Sequence, residues 1–264
     1  MVLNGGQEKK SLIVVPGVSD KTFFNQGVSI KRKKMKNQTI KINEVFESIS
    51  GEICPYGQGL FTTFIRLSGC TTGKCPYCDT NHSRYDEWDV EGLVNHIVKT
   101  SPFNSGLCIT GGEPLEQKEA FEDLIEGVNQ HGWRRKIWVE TNGIVEIPDL
   151  HSEVHYVMDY KFHNKPNPKN YGMLTTKSSI KFLIDSRENF NEMIAVLYSI
   201  DTDCKMMAVL NSIDTDCKNI AVGTLWEGEV TPKELVKWMW EEIRELNDFN
   251  FYLNTQVHKF IDIK

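Results

Sequence analysis

No stretch of this 264-residue chain approaches the ~20 consecutive apolar residues that a membrane-spanning helix needs. The first residues lack the charged-then-apolar pattern of a secretory signal. Both absences predict a cytoplasmic protein without membrane contact. An excess of positive charge is missing too: 30 Lys and Arg face 36 Asp and Glu, for a net −6. That argues against direct nucleic-acid binding, which usually needs a broadly basic surface. An even cysteine count is also lacking. Seven cysteines exclude a complete disulfide framework, and their uneven spread favours a metal or cluster site in a reducing compartment. The rest is ordinary: 40% apolar and 25% charged residues, with length enough for one well-buried domain.

The chain divides near residue 38. Residues 1–38, with the run Lys31-Arg32-Lys33-Lys34, read as an appended, flexible, solvated extension. Residues 39–264 read as the working domain. There, strand-like runs alternate with helix-like ones. Leu60–Leu67 precedes Val90–Lys99, and Leu107–Ile109 precedes Gln117–Asn129. Lys136–Glu140 follows, and Ser179–Ile184 leads into Glu188–Leu197. Thr231, Pro232 and Glu234 carry the N-cap, first-turn proline and capping box of a further helix. Phe249–Leu253 closes the series as a strand. Alternation of this kind predicts parallel strands with crossover helices, hence an α/β sheet or open barrel with its site at the strands' C-terminal ends. Cys70, Gly111 and Thr141 all fall there. One segment repeats: Ala195–Lys205 recurs as Ala208–Lys218 with ten identities in eleven positions. Neither copy has the glycine and closing glutamate of a calcium loop, so the repeat reads as a 13-residue duplication lengthening a surface loop.

Chemistry concentrates in Cys70-Thr71-Thr72-Gly73-Lys74-Cys75-Pro76-Tyr77-Cys78-Asp79-Thr80. Three thiolates in nine residues hold an iron–sulfur cluster but leave one iron without a protein ligand, open to a substrate or cofactor. Structural zinc is the alternative, with His82 close enough in sequence to be a fourth ligand. A second element, Ile109-Thr110-Gly111-Gly112-Glu113-Pro114, follows a short apolar strand. Its glycines let a ligand approach the backbone, and Glu113 can receive an ammonium group.

Together these elements resemble the radical S-adenosylmethionine superfamily, although the cysteine spacing, C-x4-C-x2-C, is one residue longer than usual. Ile42–Glu52, Phe64–Cys70, Cys78–His82, Glu140–Gly143 and Gln256–Lys259 narrow the resemblance to the 7-carboxy-7-deazaguanine synthase family. The likeness implies an incomplete (β/α) barrel. It also implies ring contraction of 6-carboxy-5,6,7,8-tetrahydropterin to 7-carboxy-7-deazaguanine with loss of ammonia, in deazapurine or queuosine-type biosynthesis. By the same likeness Cys70, Cys75 and Cys78 hold a [4Fe-4S] cluster. Tyr77, Cys78, Asp79, Gly112, Glu113 and Lys161 bind S-adenosylmethionine. Ile49, Ser50, Gly51, Arg66 and Thr110 contact the pterin, with the Arg66 guanidinium suited to gripping its carboxylate. Thr80 holds Mg2+. A flavodoxin- or ferredoxin-like electron donor and a homodimer are implied as well. Two other readings share some of these features: a glycyl-radical activase for anaerobic ribonucleotide reductase, and a zinc- or cluster-binding interaction protein. The role of His258 stays open.

Overall fold

The computed structural model describes residues 38–70, 75–78, 80–101, 105–131, 136–150, 154–200 and 215–263. The expected extension before residue 38, Asp79, and residues 201–214, which hold the end of the first repeat copy and most of the second, lie outside the described residues. All described residues belong to one unit, Lys34–Lys264.

Nine strands form a single sheet: β1 (Thr39–Ile49), β2 (Phe61–Leu67), β3 (Asp86–Asp89), β4 (Gly106–Gly111), β5 (Lys136–Thr141), β6 (Val154–Tyr160), β7 (Ser179–Ile184), β8 (Asn219–Thr224) and β9 (Asn250–Leu253). Their spatial order is β3-β1-β2-β4-β5-β6-β7-β8-β9. From β2 to β9 every pairing is parallel, while β1 runs antiparallel to both β2 and β3. β3 and β9 lie at opposite ends of that order, so the sheet is an incomplete α/β barrel, as expected. The parallel strands are apolar runs because crossover helices cover them on the outer face. Leu107, Ile109, Val139, Ile180 and Phe182 are buried accordingly.

The helices are α1 (Val90–Thr100), α2 (Lys118–Gln130), α3 (Arg187–Ile200), α4 (Pro232–Glu242) and α5 (Val257–Phe260). In α1, Val90, Leu93, Val94 and Ile97 are buried at helical spacing, and Asp89 caps the start by accepting from Gly92 N at 2.7 Å. α2 begins one residue later than Gln117, after a 3-10 turn over Pro114–Gln117. The capping box of α4 is present with both of its bonds, Glu234 N to Thr231 Oγ1 and Thr231 N to the Glu234 carboxylate.

Four strands, β1, β3, β6 and β8, have no counterpart among the expected runs. β1 alternates only at its start, where Ile40 and Ile42 are buried between exposed Thr39 and Lys41, and afterwards mixes polar and apolar residues that are mostly half-buried. β3 reads Asp-Glu-Trp-Asp and pairs only at the sheet's edge. β6 mixes His155 and Asp159 into its apolar residues, which interrupts the pattern although both side chains find polar partners. No described helix is long and apolar enough to cross a membrane.

Candidate functional site

The cysteine loop leaves β2 through Ser68 and Gly69, where a φ of +98° suits a residue without a side chain. The glycine turn after β4 locks onto it. Gly112 N donates to Leu67 O at 2.9 Å, and Glu113 N donates to Gly69 O at 2.8 Å. A Cβ on Gly112 would lie 1.7 Å from Gly69 O, so no other residue fits against that carbonyl. Gln117 adds a clasp, its Nε2 donating to both Ser68 O and Lys41 O at 3.1 Å. Two motifs about forty residues apart in sequence thereby become one surface.

That surface is one wall of a cavity of about 550 Å3 at the C-terminal ends of the parallel strands. Cys70, Cys75 and Cys78 line it, and all six described cysteines carry thiols. Burial pushes the Cys75 thiol up from its usual range, against the opposing pull of Lys161. Among the described residues no three His, Cys, Asp or Glu side chains stand where a single ion could take all three. Three cysteine thiols on one loop suit a cluster, whose irons each take a separate thiolate.

Sheet register sets a second group of lining residues. Arg66 stands across from Glu44 on β1 and from Thr110 on β4. Its Nε donates to Glu44 Oε1 at 2.9 Å and its Nη1 to Thr80 Oγ1 at 3.0 Å. Thr110 Oγ1 donates to Glu140 Oε2 at 2.8 Å. Burial raises the Glu140 pKa, and Lys181 pulls it back only in part.

On the floor, charges alternate. Lys181 Nζ reaches Glu52 Oε2 at 2.7 Å and Asp159 Oδ1 at 2.8 Å, and Asp159 Oδ2 takes Lys161 Nζ at 2.8 Å. Asp159 and Lys181 are register partners of β6 and β7, so the ladder is a cross-strand pair extended at both ends. Burial alone would raise Glu52, but Lys181, Gln256 and Asn254 outweigh it and hold the carboxyl at about 2. Burial lowers Lys181 and Lys161, yet Asp159 prevails and both end above the usual lysine value.

Of the expected site residues, Ile49, Ser50, Gly51, Arg66, Cys70, Cys75, Tyr77, Cys78, Thr80, Thr110, Gly112 and Lys161 all line this one cavity. Glu113 does not. Its side chain is fully buried behind the turn, with Oε1 accepting from Leu115 N (3.1 Å) and Thr141 Oγ1 (2.8 Å), and Oε2 from Asn142 N (2.8 Å). Burial pushes its pKa up to about 7 in spite of those three donors. The Ser50 hydroxyl turns inward to Glu52 O at 3.0 Å, and Gly51 O accepts from Val257 N at 2.8 Å. His258 lies over Gly51, where a Cβ would be 1.8 Å from its Nδ1. Sequence reasoning passed over Glu52, Glu140, Asp159 and Lys181 as site residues. Only Lys181 carried a signal of its own, a lysine inside the apolar strand Ser179–Ile184.

Comparison with known proteins follows the same lines. Residues 56–180 match the 4Fe-4S single cluster domain family. The 7-carboxy-7-deazaguanine synthase of Methanospirillum hungatei is 33% identical over 168 residues, covering 62% of this chain and 69% of that protein. The synthase of Hyperthermus butylicus is 33% identical over 174 residues, 60% of this chain and 70% of its own length. That of Leptospira interrogans aligns over 256 residues at 25% identity, 86% of this chain and 97% of the relative. In fold, the crystal structure of QueE from Escherichia coli superposes with a TM-score of 0.61 and 18% identity, over 82% of this chain and 94% of that one. None of these matches favours the activase or the zinc-binding alternative. The chain belongs to the 7-carboxy-7-deazaguanine synthase family.

Proposed function

We propose that this protein is a radical S-adenosylmethionine lyase converting 6-carboxy-5,6,7,8-tetrahydropterin to 7-carboxy-7-deazaguanine with release of ammonia. One observation carries the reading: a single cavity is lined both by three cysteine thiols and by Arg66, whose Nε is held by Glu44. Cys70, Cys75 and Cys78 would hold a [4Fe-4S] cluster, which with bound S-adenosylmethionine would supply one-electron radical chemistry. The hard chemistry is the cofactor's, and the chain's work is binding, orientation and charge.

Arg66 grips the substrate carboxylate, held flat by Glu44 for that purpose. Glu140 accepts the hydrogen bond of the Thr110 hydroxyl and so orients it at the substrate's edge. Ile49, Ser50 and Gly51 offer backbone to the ring, and Tyr77, Cys78, Asp79, Gly112, Glu113 and Lys161 serve S-adenosylmethionine. Glu113 acts through the turn that it braces rather than from the cavity. Thr80 takes Mg2+ through its hydroxyl, a hard oxygen suited to an ion that keeps most of its waters. A flavodoxin- or ferredoxin-like donor delivers the electron near exposed Cys78. The protein works in the cytoplasm as a homodimer, with residues 39–264 as its working domain.

Anaerobic reconstitution with iron and sulfide, a reductant, S-adenosylmethionine and the carboxytetrahydropterin tests the reaction, with product identified by mass and absorbance. Absence of the deazaguanine product with a fully loaded cluster would refute it. Thr80→Ala tests the magnesium assignment separately. Iron loading should stay at the wild-type level while the stimulation of turnover by Mg2+ disappears, and an unchanged magnesium response would sink the assignment.

A further inference from the structure

Each thiol of the cysteine loop has a side-chain nitrogen beside it. Asn142 Nδ2 lies 3.9 Å from Cys70 Sγ, His163 Nε2 lies 3.5 Å from Cys75 Sγ, and His82 Nε2 lies 3.6 Å from Cys78 Sγ. The three nitrogens come from three places in the fold. Asn142 follows β5, His163 stands in the turn after β6, and His82 follows the cysteine loop. Iron ligation by sulfur needs none of them.

Their orientation is constrained. Asn142 Oδ1 accepts from Ile144 N at 2.9 Å, which turns its Nδ2 toward the sulfur. A thiolate only accepts, so each histidine must carry its proton on Nε2. In His82 the other nitrogen, Nδ1, is buried and has no hydrogen-bond partner among the described residues. A lone pair there is the cheaper orphan, since a buried N–H without a partner is rarer than an under-satisfied acceptor.

We propose that Asn142, His82 and His163 form an N–H···S shell on the cluster thiolates and set the potential at which the cluster takes up its electron. The proposal rests on the cluster reading above. Reduction adds one negative charge to the cluster and its sulfurs. A donor to a sulfur stabilises the more negative state more, so it favours reduction. The three are positioning residues that act through the cysteines.

The test uses the full-length protein, loaded anaerobically and titrated with redox dyes while the reduced cluster is followed by electron paramagnetic resonance. His82→Ala and His163→Ala should keep the wild-type iron count. Each should lower the equilibrium constant for reduction about tenfold, a shift of about 59 mV to more negative potential for a one-electron couple. His82→Gln and His163→Gln, which keep an N–H in reach, should recover part of the shift. Alanine variants with full iron and an unchanged or more positive potential overturn the proposal. An alanine variant that loses iron assigns that histidine to ligation or loop folding, and overturns the proposal for it. A wild-type protein that fails to load four irons refutes the cluster reading itself, a different failure read before any variant is compared.

Discussion

Glu52 and Glu113 are both buried glutamates near the cavity, and they answer to pH in opposite senses. Glu52 is held at about 2 by Lys181, so its contribution to stability is present above the ordinary 4.5 and lost as pH falls toward 2. Glu113 is pushed up to about 7, so the native state retains a proton that the unfolded chain gives up above 4.5. Its contribution is full below 4.5 and lost as pH rises through 7. Between those limits the wild type should lose up to about 3 kcal/mol that Glu113→Gln does not lose. Urea midpoints of the two proteins across that range check the slope, and parallel curves would contradict it. Lys181→Met leaves Glu52, Asp159 and Glu140 without their shared cation. Breaking a buried pair on one side costs on the order of 3–5 kcal/mol. At this size that lowers Tm by roughly 10 °C, read by circular dichroism, and a melt within a degree or two of wild type would show the ladder to be idle. The lysine was visible in the sequence. Its partner Glu52 was not, since 129 positions separate them and no local spacing links the two.

At the scale of elements, legibility followed local signals. α4 could be read from its capping box, and β2, β4, β5 and β7 from apolar runs, because burial on both faces leaves little choice of residue. β1 and β6 broke their patterns where polar side chains turn into the barrel, and these are the strands that carry Glu44 and Asp159. Function disguised them. The join between the cysteine loop and the glycine turn was legible as two motifs but not as a contact. Gly112→Ala tests that contact. Its Cβ would meet the Gly69 carbonyl, which is backbone and cannot rotate away. The variant should keep its far-ultraviolet circular dichroism while iron bound per chain falls several-fold. Wild-type loading would mean that the turn and the loop are less tightly joined than their hydrogen bonds indicate.

At the scale of the whole molecule the connection between β1 and β2 is bonded to the segment that follows β9. Val257 N meets Gly51 O, Asn254 and Gln256 hold Glu52, and Gln58 Nε2 donates to Thr255 O at 2.8 Å. Pieces some two hundred residues apart therefore share one wall. The repeated segment bears on another part of the architecture, since its first copy starts inside α3, which ends at Ile200, and its second ends directly before β8, which starts at Asn219. In the second copy Cys217 is fully buried, its Sγ 3.1 Å from Ser178 O. Deleting 206–218 would bring Cys204-Lys205 to the place of Cys217-Lys218 and shorten the connection to a length common between helix and strand. The deletion variant should fold with a Tm within a few degrees of wild type and keep its iron, whereas an unfolded product would give the second copy a structural role. By itself the sequence determined the alternation of strand and helix, and the family. Those rest on residue type and short spacing, which covalent neighbours impose. The tertiary structure alone decided which charges face one another, that Glu113 braces a turn instead of lining the cavity, and that every thiol of the loop has a nitrogen beside it. Such pairings depend on strand register and barrel curvature, and these arise only when distant segments pack.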